Sequence, residues 1–163
     1  WRDQTGLDSL WQLLLEQARN NGANRLEWED PSEDSGAAQF AASHSEPFLM
    51  GRLTDCQAVL TAMDYPAGLK ADLTVELVDP IAPWNNGRFR WQIGQGAGNW
   101  SAAESVGEPD LALNVALLSQ LYFGQRPAKE LLKAAEGLRA GERQRDLLAA
   151  IFPACRNFIS EYF

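Results

Sequence analysis

The chain has 163 residues, 45% of them apolar, a formal charge of −8 and a single histidine. That length suits one domain, or one domain plus a piece of another, and no run approaches the ~18 consecutive apolar residues of a membrane helix. One histidine and two widely separated cysteines exclude most zinc, haem and Cys/His chemistry, so no metal site is expected.

Cys56 and Cys155 are expected to be free, buried thiols of a cytoplasmic protein rather than a disulfide. His44 lies in the polar stretch "AASHSEP" and reads as a solvated loop residue, not a base. The start, "WRDQTGLDSLW", has neither a methionine nor a basic segment leading into an apolar one. It reads as a cut end. Residues 1–85 carry 5 basic and 14 acidic side chains, and residues 86–163 carry 9 and 8. The acids peak in "EWEDPSED", which reads as a soluble loop. No basic stripe with interleaved aromatics occurs, so neither nucleic acid nor membrane is an expected partner.

In chain order, Leu7, Leu10, Trp11, Leu14 and Ala18 recur at helical spacing, and "NNG" at 20–22 predicts a stop, giving a helix over 6–20. "RLEWE" (25–29) alternates like a strand, and 30–45 is a polar connector. "FLMGRL" (48–53) reads as a short buried strand. "TDCQAVLTAM" (54–63) reads as a helix capped by Thr54, with Val59, Leu60 and Met63 on one side.

Strands follow at 71–78, with Leu73, Val75 and Leu77 on one face, and at 88–93, with Phe89, Trp91 and Ile93 on one face. Between them lies "DPIAPWNNG". Its Asn86-Gly87 pair is a hairpin signal, yet the turn also holds Pro80, Ile81, Pro83 and Trp84. The prolines fix backbone angles and lower the entropy cost of ordering a long turn. Exposed, Ile81 and Trp84 would form a sticky patch, so Trp84 is expected to be a packing anchor rather than a ligand contact.

A third strand is expected near 99–104. The preceding "GQGAG" is a hairpin, not a phosphate loop, because strands lie on both sides and no helix N-terminus follows. After Pro109 the period becomes helical. Leu111, Val115, Leu118 and Tyr122 share a face, and Gly124 ends the run. Helices over 126–138 and 141–152 follow, with Pro127 in a first turn and Pro153 as a stop. The tail "CRNFISEYF" alternates like a final strand. The sum is an α+β fold, an antiparallel or mixed sheet with helices on one side.

Three stretches carry a resemblance. They are "FLMGRLTDCQAVL", "ADLTVELVDPIAPWNNGRFRW" and "PDLALNVALLSQLYFGQRPAKEL". They resemble the C-terminal region of the enhanced-intracellular-survival family of acetyltransferases. That family's "RxxD" turn, "DPxxPWNxGxxR" turn and "DLALDVxxLxxxYxG" helix are matched by Arg52 and Asp55, by Asp79, Pro80, Pro83, Trp84, Asn85, Gly87 and Arg90, and by Asp110, Leu111, Leu113, Leu118, Tyr122 and Gly124. Asn114 stands where the family commonly has Asp.

The resemblance implies that 1–45 is the remnant of a second GNAT-like domain and that 46–163 is a sterol carrier protein-like domain. The acetyl-CoA-binding GNAT domain lies outside this chain. No cofactor is expected here, although the full-length enzyme would use acetyl-CoA on a small-molecule amine or peptide acceptor and would form a homo-oligomer. In the family the terminal carboxylate reaches the active site as a general base, which implies that role for Phe163 if it is the natural C-terminus. Glu161 is the nearest side-chain acid and is the expected substrate-binding residue. The alternative at this end is that "EYF" only finishes the sheet edge.

The family fold also carries a competing function, a lipid or acyl-CoA tunnel lined by Leu73, Val75, Leu77, Phe89, Trp91, Leu111, Val115 and Leu118. The same residues describe an ordinary packed core, and periodicity does not separate the two. A third role, positioning the catalytic domain and supplying oligomer contacts, is compatible with the enzyme reading.

Overall fold

The computed structural model describes residues 4–26, 50–104, 106–124 and 126–155. The chain divides into two compact units, Trp1–Phe48 with Phe158–Phe163, and Leu49–Asn157.

Within the first unit, helix α1 spans Gln4–Asn20. Leu7 and Trp11 are buried, and Leu10, Leu14, Leu15 and Ala18 are half-buried, forming one stripe at helical period. The helix stops where "NNG" predicts, with Gly22 in the left-handed region and its N–H donating to the Arg19 carbonyl. Arg25 and Leu26 belong to no strand, and 27–29 lie outside the described residues. His44 and the connector also lie outside them.

The second unit is built on five strands: β1 (Ala71–Val78), β2 (Gly87–Gly94), β3 (Ala97–Ala102), β4 (Leu111–Asn114) and β5 (Arg139–Ala140). Their order in the sheet is β3-β2-β1-β4-β5. All neighbours are antiparallel except β1 and β4, which run parallel with Val75 opposite Leu111. The helices are α2 (Cys56–Ala62), α3 (Val115–Phe123), α4 (Ala128–Ala134) and α5 (Glu142–Ile151).

The period-2 pattern sorts the sheet into two unlike faces. Leu73, Val75, Leu77, Phe89, Trp91 and Ile93 join Leu60, Leu118, Leu132 and Leu148 from the four helices, and Phe152 just past α5, in a single core. The opposite face is a charge ladder. Arg90 donates two hydrogen bonds to Asp72, at 2.8 and 2.6 Å, and Glu76 meets both Arg88 and Arg139. The Arg90–Asp72 pair is exposed and adds little stability, but the ladder sets which face stays in water.

Trp91 is the hub of the core. Its ring packs edge-on against Trp100 at 5.6 Å and lies 6.2 Å from both Tyr65 and Phe152. Its Nε1–H donates to the Tyr65 hydroxyl, which donates onward to the Leu60 carbonyl, so no polar atom of the pair is wasted.

Four local expectations are corrected. Residues 50–53 form no strand, and Met50 is 96% exposed. Only Leu53 enters the core, with its N–H donating to Ser119 Oγ. Asp55, not Thr54, caps α2, because its Oδ1 accepts from Ala58 N at 2.8 Å. Leu111 lies on a strand rather than a helix. Leu111–Leu113 is a continuous buried run, as expected of a parallel strand, and the helix begins only after Asn114, whose Oδ1 accepts from Leu117 N. Cys56 is buried as expected, but Cys155 is exposed, and both are free.

Asn86-Gly87 is not the tight turn it resembles, since Asn86 has φ −82°. The two-residue turn sits instead at Gln95-Gly96, where both φ values are positive. Gly124 ends α3 at φ 64°, and a side chain there would run into the Pro153 carbonyl and Cys155.

Because Trp91 touches three other rings, Trp91→Ala should cost about 3–5 kcal/mol. A denaturant melt followed by circular dichroism checks this. A loss below about 1 kcal/mol would show that the aromatic cluster does not hold the sheet to its helices.

Candidate functional site

The best-defined polar constellation in the described structure is the β1–β2 connection, residues 79–86. It begins with a carboxylate that has no access to water: Asp79 is 0% exposed. Burying a charge is costly unless it is fully hydrogen-bonded, and here four donors converge. Oδ1 accepts from Arg52 Nη2 at 2.5 Å, from Ile81 N at 2.9 Å and from Ala82 N at 3.0 Å, and Oδ2 accepts from Asn85 Nδ2 at 2.9 Å. Burial by itself pushes the Asp79 pKa up. The hydrogen bonds from Asn85, Ala82, Ile81 and Arg52 outweigh it and hold the carboxyl well below the usual carboxylate range.

The two asparagines complete the turn. The Asn86 side-chain amide behaves like a strand partner to Asp79, accepting from its N–H at 2.6 Å and donating to its carbonyl. Asn85 is buried within a short 3-10 turn, Pro83–Asn85. Its Oδ1 accepts from Cys56 N at 3.1 Å, and its Nδ2 also reaches the Thr54 carbonyl. Trp84 Nε1 donates to that same carbonyl at 2.7 Å. The whole turn is therefore laced to the start of α2.

What it displays differs from the sequence expectation. Trp84 is 68% and Ile81 73% exposed, so within this unit Trp84 is not a buried anchor. The anchors are Asp79 and Asn85. Short polar side chains give no periodic signal, although the cluster of Asp, Pro and Asn marks a structured turn.

This network is unsuited to proton or group transfer. The Asp79 oxygens are already occupied, and the Cys56 thiol is pushed up to about 11, first by burial and then by the Asp79 and Asp55 charges. Among the described residues no three His, Cys, Asp or Glu side chains are grouped to hold a metal, and no helix is long and apolar enough to cross a membrane. Gly94 to Gly98 form the β2–β3 hairpin, with a strand on each side, so this stretch is not followed by a helix N-terminus that could receive a pyrophosphate.

The eight residues of the suggested tunnel are packed core: Leu73 is partly buried and the other seven are buried. Surface depressions lie elsewhere among the described residues. One, of about 650 Å³, is lined in part by Lys70, Asp72 and Arg143, and another, of about 360 Å³, by Glu76, Val78 and Arg88. Phe163 and Glu161 lie outside the described residues.

Comparison with known proteins fits this architecture. Residues 56–160 match the sterol carrier protein domain family, and the chain belongs to it. No curated protein matches the sequence. Among solved structures, it is similar to a GCN5-related N-acetyltransferase from Kribbella flavida, at 26% identity over 69% of this chain and 28% of that one, with a TM-score of 0.57. One from Anabaena variabilis is 25% identical over 63% and 26%, with a TM-score of 0.55. Eis1 from Mycobacterium abscessus shares the fold, at 23% identity over 67% and 26%, with a TM-score of 0.51. The chain spans about a quarter of the length of these proteins.

The low Asp79 pKa has a consequence for acid stability. An unfolded aspartate titrates near 3.9. The folded value is lower, so the stability this group contributes is fully present above that pH and is lost as pH falls through the folded value. Asp79→Asn should lower the melting temperature at about pH 7, and the gap to wild type should narrow below about pH 4. A gap that stays constant on acidification would show that the charge is not what stabilises the turn.

Proposed function

We propose that this chain is the C-terminal part of a GCN5-related N-acetyltransferase of the enhanced-intracellular-survival type, in which it is a scaffold. The observation that carries this reading is the similarity of its sterol carrier-type fold to parts of much longer acetyltransferases at 25–26% identity. In this reading residues 1–45 belong to a second GNAT-like domain and 46–163 form the sterol carrier-like domain. Acetyl-CoA binds elsewhere in the longer polypeptide, the acceptor is an amine on a small molecule or peptide, and the enzyme is a cytoplasmic homo-oligomer. The packed core weighs against the lipid-carrier alternative, because Trp91 and Trp100 fill the space between sheet and helices.

The chain's chemical contribution in this proposal is the Phe163 carboxylate, with Phe163 as the natural C-terminus and Glu161 beside the substrate. A terminal carboxyl ordinarily titrates near 3.3–3.7, so it is ionised at neutral pH. It can accept the proton an attacking amine must lose.

Two outcomes test the proposal. The 163-residue chain alone should turn over no acetyl-CoA with any amine, and a rate above a protein-free control would overturn the scaffold reading. In the longer polypeptide, one glycine added after Phe163 moves the carboxylate by about 3.3 Å if the end is extended. Loss of a general base costs about 10²–10⁴ in rate, so kcat should fall in that range while acetyl-CoA binding persists. A kcat unchanged within about twofold would remove Phe163 from the chemistry.

A further inference from the structure

We infer that Asn21 is a site of spontaneous deamidation, and that Asn86, in the same three-residue sequence, is held back from that reaction until the β1–β2 turn opens. This is independent of the acetyltransferase reading.

The tripeptide Asn-Asn-Gly occurs twice, at 20–22 and at 85–87. An asparagine before glycine is prone to lose its amide, because no side chain shields the next backbone nitrogen. That nitrogen attacks the side-chain carbonyl carbon and a C–N bond forms. The side-chain nitrogen leaves as ammonia, taking the proton displaced from the glycine N–H, and a five-membered imide remains. Water then adds to either imide carbonyl and opens the ring to aspartate or isoaspartate. Glycine is required at both places by a positive φ, 67° at Gly22 and 135° at Gly87. The two sites therefore share their intrinsic chemistry, and both Asn21 and Asn86 are exposed to water. Only the bonds around them differ.

Asn21 stands at the C-terminal end of α1. The Asn21, Gly22 and Ala23 N–H groups donate to the Gln17, Arg19 and Ala18 carbonyls, all within the last turns of the helix. A helix end frays at almost no cost in free energy, and fraying releases the Gly22 nitrogen. Asn86 has both side-chain atoms engaged instead. Its Oδ1 accepts from Asp79 N at 2.6 Å, and its Nδ2 donates to the Asp79 carbonyl. Its ψ of 137° is extended and turns the Gly87 nitrogen away from the Asn86 side chain, whereas the imide ring needs Cβ and that nitrogen nearly eclipsed. Asp79 is itself fixed by Arg52, Ile81, Ala82 and Asn85, so the partner of Asn86 does not yield either.

The two conversions also differ in consequence. At position 86 the new acid has no N–H for the Asp79 carbonyl, so acceptor would face acceptor, and isoaspartate adds a carbon to the backbone. A turn that opened long enough to react would not regain its bonds. At position 21 the new charge falls at the C-terminal end of α1, where it opposes the helix dipole.

Ageing the full polypeptide in mildly alkaline buffer, native and in urea, tests this. Mass spectrometry follows the amide-to-acid mass gain in the tryptic peptides 20–25 and 71–88. In urea the two sites should convert at similar rates. In the native protein Asn86 should lag Asn21 by about thirtyfold or more, because two hydrogen bonds must break first. Arg52→Gln leaves Asn86 untouched but takes a charged donor from Asp79, and it should speed Asn86 about tenfold with Asn21 unchanged. Circular dichroism reports whether that variant is folded, and if it is not, the native and urea-treated wild type still decide. Asn86 converting as fast in the native protein as in urea would show that its bonds to Asp79 do not protect it. Asn21 converting as slowly as Asn86 would show that the helix end stays closed. Either result, or a folded Arg52→Gln protein with an unchanged Asn86 rate, overturns the proposal.

Discussion

The buried carboxylate of Asp79 is the constraint around which the second unit is arranged. An ionised group without water must have its lone pairs satisfied by the protein, and the donors it uses come from three separate places. Arg52 precedes α2, the Ile81 and Ala82 N–H groups belong to the turn, and Asn85 comes from the 3-10 segment. Satisfying Asp79 therefore fixes the path of residues 50–55 against the end of the sheet. It also sets Asn85, which then caps the entry to α2 by accepting from Cys56 N. A chain of polar contacts, rather than a hydrophobic seam, connects the first helix of this unit to the strand connection. Networks of this kind are rigid when complete and costly when broken.

On the other side of β1 the organising force is apolar. Leu73, Val75 and Leu77 alternate with Asp72, Thr74 and Glu76, so one face collects the helices and the other collects ion pairs. The two tryptophans Trp91 and Trp100 account for the filled interior. Trp100 stacks on Phe89 at 5.0 Å.

Much of the α+β architecture is legible in the amino-acid order, because β1 and β2 alternate at period 2 and α1 and α5 repeat near 3.6. Gly22, Gly124 and Pro153 mark the stops of α1, α3 and α5 by conformational rules that need no neighbours. What periodicity could not decide was the identity of Leu111–Leu113. Three consecutive apolar residues suit a helix or a buried parallel strand equally, and only the place beside β1 makes them a strand. The same holds for Arg52 and Asp79. They stand 27 residues apart, and only the fold brings them to hydrogen-bond distance. The exposure of Trp84 was likewise undetermined, since an indole in a turn can point inward or outward. It points outward because Asn85, next to it, takes the buried position and the polar bonds there. Local sequence thus determined where elements start, stop and alternate, whereas contacts between distant residues decided strand order, the buried charge and the displayed ring. Those depend on free energies that no single segment contains.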